Sequence, residues 1–492
     1  MINEIFIKAP TRAGFEAALQ GGNVKATSVV FIEDTNELWT QNKYYQFVPS
    51  GGEKGQILTN NGTKGVWSNE GISVGLEDIL SYGVEWTKNA TSPVLTRIGN
   101  LSLHKSLPIQ SQYKGCVVDV ATKAVNYWLD PEDWSKKADG TAAVLDGTDG
   151  QVMVHTPKFY GKSGEKDGKY WVRISTQNVD GTWTEIPEMF IAAYRGTVNN
   201  TNNKAASVVN TEAAYRGGNN RSAYDEYLAT DPCKSDLGKP RTSASRATFR
   251  TWARNLGAEL LSYEQYKWAF YWAYVIEYAN FNSQAAYNTN LDAEGMHQGG
   301  LGDGVTTWDG TSWNNYNGYY PLTPCGYAND LGNGTGVKAM TAGTKSFNVP
   351  RWRGFDNPFG DIWTNLDGII IQGDAEGNPK SVYTTTDPTA YGDDAAAQAK
   401  MTVVGHEIHQ DGYIKEFDLG ENAEIIPAVM GGDVTVGKCD YHYTGSKDTS
   451  LRTLQVGGST HGGGLAGLGC FDSANGVGYA SARLGFRFVI TL

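Results

Sequence analysis

Residues 262–280, which read SYEQYKWAFYWAYVIEYAN, restrict the fold of this chain more than any other stretch. The segment has a helical pattern that is apolar nearly all round, and such helices are buried inside larger domains. Its apolar run is too short to cross a bilayer and contains Glu277. Ser262 and Gln265 provide a capping-box sequence at its start. The segment therefore predicts a buried helix with a large core built around it.

A second helix is predicted at residues 245–255, SRATFRTWARN, and no long helix is predicted beyond residue 295. The chain has 60 Gly, 27 Tyr, 16 Phe and 14 Trp residues, and glycine and aromatic residues dominate its last third. This composition suits β-rich architecture with tight turns, or binding surfaces made of rigid aromatic and small polar residues. We therefore expect a β-rich α+β fold with two buried helices and long irregular loops.

A chain of 492 residues is too long for one ordinary core, so several regions are expected. Residues 1–48 are predicted to form a small N-terminal module, with a helix in TRAGFEAALQGG and strands on both sides of a turn at Asp34–Asn36. Residues 49–72 read as a glycine-rich hairpin linker, and residues 73–178 as a β-rich intermediate region. Residues 179–492 are predicted to form the large domain.

Two further local predictions concern turns and core residues. The dipeptide Asp180–Gly181 is expected to form the turn of a hairpin whose first strand points Val172 and Ile174 inward. The segment RWRGFDNPFGDIW is expected to be a long loop held by four aromatic core residues. These are Trp352, Phe355, Phe359 and Trp363.

The charge and cysteine content exclude several classes of protein. The net charge is −12 and there is no basic cluster, so nucleic-acid binding is not expected. The N-terminus has no apolar run of signal-peptide length, so we expect a soluble protein without a secretion signal or membrane insertion. The five cysteines are odd in number and include no CxxC pair, which predicts buried free thiols. They are Cys116, Cys233, Cys325, Cys439 and Cys470.

The linker contains GGEKGQILTNNGTKGVW, which resembles a motif of bacteriophage tail-fibre and appendage proteins. Six later stretches match one pattern in the same order: VIEYANFNSQAAYN, QGGLGDGVTTWDG, PCGYANDLGNGTG, PRWRGFDNPFGDIW, CDYHYT and VGGS…GFRF. Together they resemble the C-type-lectin-like domain of formylglycine-generating-enzyme relatives and of phage receptor-binding proteins, including targets of diversity-generating retroelements. The whole chain is most similar to appendage proteins of phages that infect Bacteroides-type gut bacteria.

This resemblance implies a homotrimeric virion protein, with an N-terminal module that attaches to other tail or head proteins. The C-terminal domain would bind a glycan or protein on the host surface. In related variable domains the ligand surface lies between the GGS and GFR motifs, and no Lys, Glu, Gln, Met or Trp occurs here from Gly457 onward. The candidate receptor-binding residues are therefore Ser459, Thr460, His461, Leu465, Phe471, Asp472, Asn475, Tyr479 and Arg483. Phe471 is the member of this set that we expect to belong to the core.

No catalytic residue, metal ligand or cofactor is predicted, although a structural cation remains open. His406 and His409 are three positions apart, whereas the zinc motif HExxH places its histidines four apart. A formylglycine-generating-type oxidase needs two well-placed soft ligands for copper, and only Cys470 lies in the relevant segment.

Two other functions stay open. A capsule depolymerase needs a carboxylate pair, and five acids are available without a pattern that marks one. These acids, which we expect to cap turns or bind a cation, are Asp303, Asp309, Asp356, Asp361 and Asp367. A head fibre or other decoration protein could display the same adhesive domain. The triplet Trp313–Asn315 has no partner motif, so the calcium-dependent sugar site of vertebrate lectins is not predicted.

Overall fold

The computed structural model divides into two compact units, residues 1–75 and 76–492. Asp34–Asn36, Asp309 and Trp313–Asn315 lie outside the described residues. The structure describes residues 75–308, 322–342 and 345–492, together with residues 11–20 and six strands among the first 74 residues.

The small unit contains the expected helix, α1 (Arg12–Gln20), with Phe15 buried. Four strands form one sheet in the order β1-β2-β3-β4, where β1 and β2 are parallel and the others antiparallel. The linker holds the predicted hairpin, β5 paired antiparallel with β6. The six strands are β1 (Phe6–Ala9), β2 (Val29–Ile32), β3 (Glu37–Thr40), β4 (Lys43–Gln46), β5 (Ile57–Asn60) and β6 (Gly65–Ser68).

The large unit is β-rich with few helices, as expected. Its first strands are β7 (Tyr82–Thr87), β8 (Thr96–Gly99), β9 (Lys114–Asp119), β10 (Ala124–Trp128), β11 (Gln151–Thr156), β12 (Phe159–Lys166), β13 (Lys169–Ser175), β14 (Thr184–Ile186), β15 (Met189–Ala192), β16 (Thr197–Asn199), β17 (Lys204–Ala206) and β18 (Glu259–Leu260). Then follow β19 (Gly336–Ala342), β20 (Lys345–Trp352), β21 (Phe355–Asp356), β22 (Trp363–Asn365), β23 (Ile369–Gln372), β24 (Lys380–Thr384), β25 (Thr402–Glu407), β26 (Gly412–Leu419), β27 (Ile425–Met430), β28 (Tyr441–Tyr443), β29 (Leu451–Arg452), β30 (Gln455–Gly457), β31 (Gly467–Asp472), β32 (Leu484–Gly485) and β33 (Phe488–Thr491).

The helices of the large unit are few, and none beyond residue 295 is long among the described residues. The α-helical segments are α2 (Leu76–Leu80), α3 (Leu101–Ser106), α4 (Arg246–Leu256), α5 (Tyr263–Tyr266), α6 (Ala273–Tyr278) and a last short helix, Ala395–Gln398. A π-helical turn, Lys267–Trp272, joins α5 to α6. Short 3₁₀ segments occur at Gln110–Gln112, Ala213–Tyr215, Ser222–Ala229, Gly304–Thr307, Asn329–Leu331, Pro388–Ala390 and Gly463–Leu465.

The segment from α5 through α6 is the buried helix that the sequence predicts, and its capping box between Ser262 and Gln265 is present. Every residue of the π turn and of α6 is buried. Glu277, the one charge in the apolar run, accepts hydrogen bonds from the guanidinium of Arg353 (2.8 Å) and the indole of Trp352 (3.2 Å). Burial of this charge is therefore compensated by a hydrogen-bonded ion pair. Among the described residues no helix is long and apolar enough to span a membrane.

The expected boundary at residue 178 falls inside one compact unit. A six-stranded sheet has the order β10-β9-β11-β15-β33-β18, so strands from both sides of that boundary share it. Its strand β33 pairs with β15 and β18, which ties the C-terminus into the sheet. Because β15 is flanked by β11 and β33, neither region completes this sheet alone.

The predicted hairpin turn at Asp180–Gly181 is wrong. The hairpin of this region joins β12 to β13 through Asp167 and Gly168. Their φ angles of 53° and 75° are positive, as in the two-residue turns whose twist matches that of the paired strands. Strand β14 pairs with β12 instead of β13. Asp180 bonds the backbone N–H of Thr182 at 2.9 Å, a local turn outside the sheet. Val172 and Ile174 are fully buried, as expected.

A seven-stranded sheet in the order β27-β26-β28-β31-β30-β22-β32 carries the C-terminal segment. The helix packs beneath it, because the hydroxyl of Tyr266 donates to the carbonyl of Leu468 on β31 at 2.6 Å. Of the four predicted aromatic core residues, Trp352, Phe355 and Phe359 are fully buried. Trp363 is only partly buried, because β22 carries it to the surface of this sheet.

Candidate binding cleft

Two adjoining cavities of about 220 Å³ each open on the seven-stranded sheet. They share four lining residues, Trp363, Tyr443, Asp472 and Arg483, and we call the pair the terminal cleft. Together their volumes fall within the range of small-ligand sites, roughly 300–1,000 Å³. The walls come from the loop between β30 and β31 and from the segment between β31 and β32.

The terminal cleft gathers most of the residues that were predicted from sequence. Seven of the nine line it: Ser459, His461, Leu465, Asp472, Asn475, Tyr479 and Arg483. The other two, Thr460 and Phe471, are buried. Phe471 belongs to the main hydrophobic core, as expected for that member of the set. The predicted assignment of Thr460 to the ligand surface is wrong, because its backbone N–H bonds the carbonyl of Asp361 at 3.0 Å and turns the side chain inward.

Aromatic rings form the floor of the cleft and continue beyond it. The ring centroids of Trp363 and Tyr443 are 5.9 Å apart, those of Tyr443 and Tyr441 are 4.5 Å apart, and those of Tyr441 and Tyr413 are 5.3 Å apart. All four side chains are partly exposed. The rings lie on β22, β26 and β28 of one seven-stranded sheet, in which β31 and β30 lie between β28 and β22. A row of partly exposed rings offers large contact area at low cost in side-chain entropy.

Sequence reasoning missed these floor residues. Trp363 was assigned to the core, and Tyr443 was read only as part of the motif CDYHYT. Large aromatic residues are usually buried, and nothing in the local pattern separates a core ring from a floor ring. Alternation along β28 was the one usable indication, because His442 is fully buried between the half-buried Tyr441 and Tyr443.

Asp472 supplies the acidic group of the cleft. Its carboxylate accepts hydrogen bonds from the backbone N–H of Ala474 at 2.8 Å and from the side chain of Asn475 at 2.9 Å. Burial raises the pKa of this carboxyl to about 6, against the lowering effect of the Ala474 hydrogen bond. The group therefore changes charge close to neutral pH.

Arg483 supplies the basic group. Its guanidinium donates to the ring of His461, at 3.2 Å from Nδ1 and closer to Nε2. Burial and the charge of Arg483 both lower the pKa of His461, which favours the neutral ring, and a neutral imidazole accepts at one of its two nitrogens. Among the described residues Arg483 has no carboxylate within ion-pair distance. The backbone carbonyl of Arg483 accepts from the N–H of Trp363 at 2.8 Å, which fixes the two residues side by side.

A buried polar cluster lies directly behind Asp472. Ser473 donates to Glu407, and the ammonium of Lys380 donates to the carbonyls of Thr444 and Ser473. Burial raises the pKa of Glu407 to about 7 and lowers that of His442 to about 4. Ser473, Glu407, Lys380 and His442 are all buried, so this cluster positions the end of β31 and does not reach a ligand.

Three of the carboxylates considered for glycoside hydrolysis lie in the interior of the large unit. Asp356 is buried and paired with Arg351, and Asp367 is paired with Arg250 at 2.8 Å. Asp361 is also fully buried, and none of the three lines the terminal cleft. The expectation that these acids cap turns or bind a cation is therefore wrong for Asp356 and Asp367, which form interior ion pairs.

The remaining chemical candidates are also accounted for. All five cysteines are free and buried, as predicted, and burial raises the pKa of Cys439 to about 12. His406 is exposed on β25, and the Nε2 of His409 lies 3.2 Å from the carbonyl of Gly445. Within the described ranges, no group of three His, Cys, Asp or Glu side chains has the arrangement of a metal site.

Comparison with known proteins adds no further assignment. No family model matches this chain, and no curated protein matches it either.

Proposed function

We propose that this chain is a bacteriophage virion appendage protein, a tail fibre whose C-terminal region binds a receptor on the host cell surface. The observation that carries the proposal is the terminal cleft. Seven of the nine residues predicted from the segment between two sequence motifs line one open cleft with an aromatic floor. The resemblance of the ordered motifs to lectin-like receptor-binding domains supports the same reading.

The chemistry of the cleft suits recognition. The floor offers aromatic faces, and the walls offer hydroxyl, amide, carboxyl and guanidinium groups that fix the orientation of a ligand. Sugars present both apolar faces and hydroxyl groups, and folded peptides present similar mixtures. A non-enzymatic binding role agrees with the ion pairing of the interior carboxylates and with the protonated state of the cysteine thiols.

The rest of the assignment follows from the resemblance. Residues 76–492 would contain a C-type-lectin-like domain, and the small N-terminal unit would attach the protein to other tail proteins. The chain would act as a homotrimer in the virion, with three terminal clefts for multivalent attachment.

The experiment measures binding of the fluorescently labelled full chain to a panel of Bacteroides-type strains. Trp363→Ala should reduce binding to a recognised strain at least about fivefold, since a stacked aromatic residue contributes about 1–3 kcal/mol. Trp128→Ala is the matched control, because Trp128 is 39% exposed and lies on β10, outside the cleft. Equal binding by wild type and Trp363→Ala would refute the site, and binding to no strain would refute the receptor role. Immunogold labelling of intact virions would distinguish a tail fibre from a head fibre.

A further inference from the structure

We infer that the terminal cleft binds a saccharide that carries a carboxylate, such as a uronic acid, with that carboxylate on Arg483. The inference rests on the proposed receptor-binding function and adds the chemical class of the ligand.

The first argument is the state of the Arg483 guanidinium. It lines both cavities, and only its Nη1 has a hydrogen-bond partner among the described residues, the neutral ring of His461. Its Nε and Nη2 donors therefore have no hydrogen-bond partner among the described residues, and the side chain lines both cavities. A guanidinium presents paired N–H groups in a planar fork that matches the two oxygens of a carboxylate.

The second argument is that the cleft itself cannot satisfy this charge. Asp472 is the one carboxylate in the lining, and its oxygens already accept bonds from Ala474 and Asn475. Asp472 and Arg483 do not come within ion-pair distance, although each lines both cavities. An anionic ligand would supply a hydrogen-bond acceptor for the guanidinium of Arg483.

The third argument is the relation of the charge to the aromatic floor. Trp363 and Arg483 both line both cavities, and a backbone hydrogen bond of 2.8 Å joins them. The ring of Tyr443 stands nearly perpendicular to that indole, at an interplanar angle of 77°. A pyranose ring can pack its C–H face on one aromatic ring while the carboxylate on its C5 reaches the arginine. The hydroxyl groups of the sugar then face Asp472, Asn475 and the wall of the loop.

The charge of Asp472 should modulate this binding. The charged groups that act on its carboxyl from neighbouring elements are Asp411 before β26, Lys380 on β24 and Arg483 before β32. His461 faces the same space from the opposite wall. When Asp472 is ionised it repels an anionic ligand across the cleft, and when protonated it donates a hydrogen bond to it.

The test uses the full chain and three acidic probes: trigalacturonate, a hyaluronan tetrasaccharide and sialyllactose. Each is compared with its carboxyl-reduced counterpart by isothermal titration calorimetry. We expect at least one acidic probe to bind and its reduced form to bind about tenfold or more weakly, since a charge-assisted pair is lost. Arg483→Gln should lose the same factor for the acidic probe and none for the reduced probe. An unchanged thermal unfolding midpoint establishes that this variant is folded.

Three results would overturn the inference: equal binding of acidic and reduced probes, unchanged binding of the acidic probe by Arg483→Gln, or no binding of any acidic probe. If cells are still bound in a Trp363-dependent manner in any of these cases, the receptor-binding function stands and only the ligand class fails. If neither cells nor saccharides are bound, the proposed function fails as well.

Discussion

Replacing Lys438 with Met should stabilise the large unit at neutral pH. The ammonium of Lys438 is buried without a hydrogen-bond acceptor among the described residues. It lies 4.0 Å from the ring centroid of Phe281, 4.8 Å from that of Phe417 and 5.3 Å from that of Trp86. Burial lowers the pKa of this amine from 10.5 to about 7. A buried charge of this kind costs stability wherever it stays protonated in the unfolded chain.

The size of the effect follows from these contacts. A fall of the pKa from 10.5 to about 7 corresponds to about 4 kcal/mol of lost stability at pH 7. Attraction between the ammonium and the three rings opposes this loss by about 2 kcal/mol. Met is uncharged, has a similar length and packs well against aromatic rings. We therefore expect Lys438→Met to gain about 2 kcal/mol in free energy of unfolding.

The pH dependence makes the test specific. Between about pH 7 and pH 10 the folded state binds fewer protons at Lys438 than the unfolded state does, so wild-type stability rises with pH. The advantage of Lys438→Met should accordingly be largest near pH 7 and disappear near pH 10. Urea unfolding followed by near-UV circular dichroism measures it, with Lys400→Met, at an exposed lysine, as the control for loss of charge. A destabilised variant, or a gain that does not change with pH, would refute this account of Lys438.

Three other outcomes test the fold and the cleft. A fragment of residues 76–492 should unfold cooperatively, whereas residues 180–492 should not, because the shorter piece lacks β9, β10 and β11 and so leaves β15 without its partner β11; a cooperative melt of the shorter fragment by circular dichroism would contradict the single-unit fold. Gly115→Ala should lower the free energy of unfolding by about 1–3 kcal/mol, because an added Cβ would lie 2.2 Å from the ring of the fully buried Trp134; an unchanged urea midpoint would show that the ring can move. Binding of an acidic saccharide should strengthen from about pH 7 to pH 5 as the carboxyl of Asp472, with its pKa raised to about 6, becomes protonated. Calorimetry of Asp472→Asn should show no such change, and a parallel pH profile in this variant would exclude Asp472 as the titrating group.

Local patterns were sufficient for the buried helix and for the linker hairpin. The helix could be predicted because a helix that is apolar on nearly all sides must be buried in a core, and because its capping box depends only on neighbouring residues. The hairpin turn at Asp180–Gly181 failed because two Asp–Gly dipeptides compete in this region. Only strand pairing, which joins residues far apart, selects Asp167–Gly168 as the turn.

The sequence predicted the residues of the cleft walls and did not predict those of its floor. The residues of the walls could be named because they lie in one continuous segment between two motifs. The floor could not, because Trp363, Tyr443, Tyr441 and Tyr413 come from three strands that are brought into one sheet only by folding. The sequence also could not predict that Arg483 has no ion pair among the described residues, since this depends on which carboxylates fold near it.

By itself the sequence determined the class of fold, the position of the buried helix, the free thiols and the segment that supplies the cleft walls. The first three depend on composition or on interactions between residues close along the chain, whereas the wall segment was predicted from the resemblance of its flanking motifs. Tertiary structure decided that residues 76–492 form one unit, that Thr460 turns inward, and that Trp363 leaves the core for the cleft floor. These outcomes depend on pairing of distant strands, because a side chain on a strand points to whichever face its register assigns.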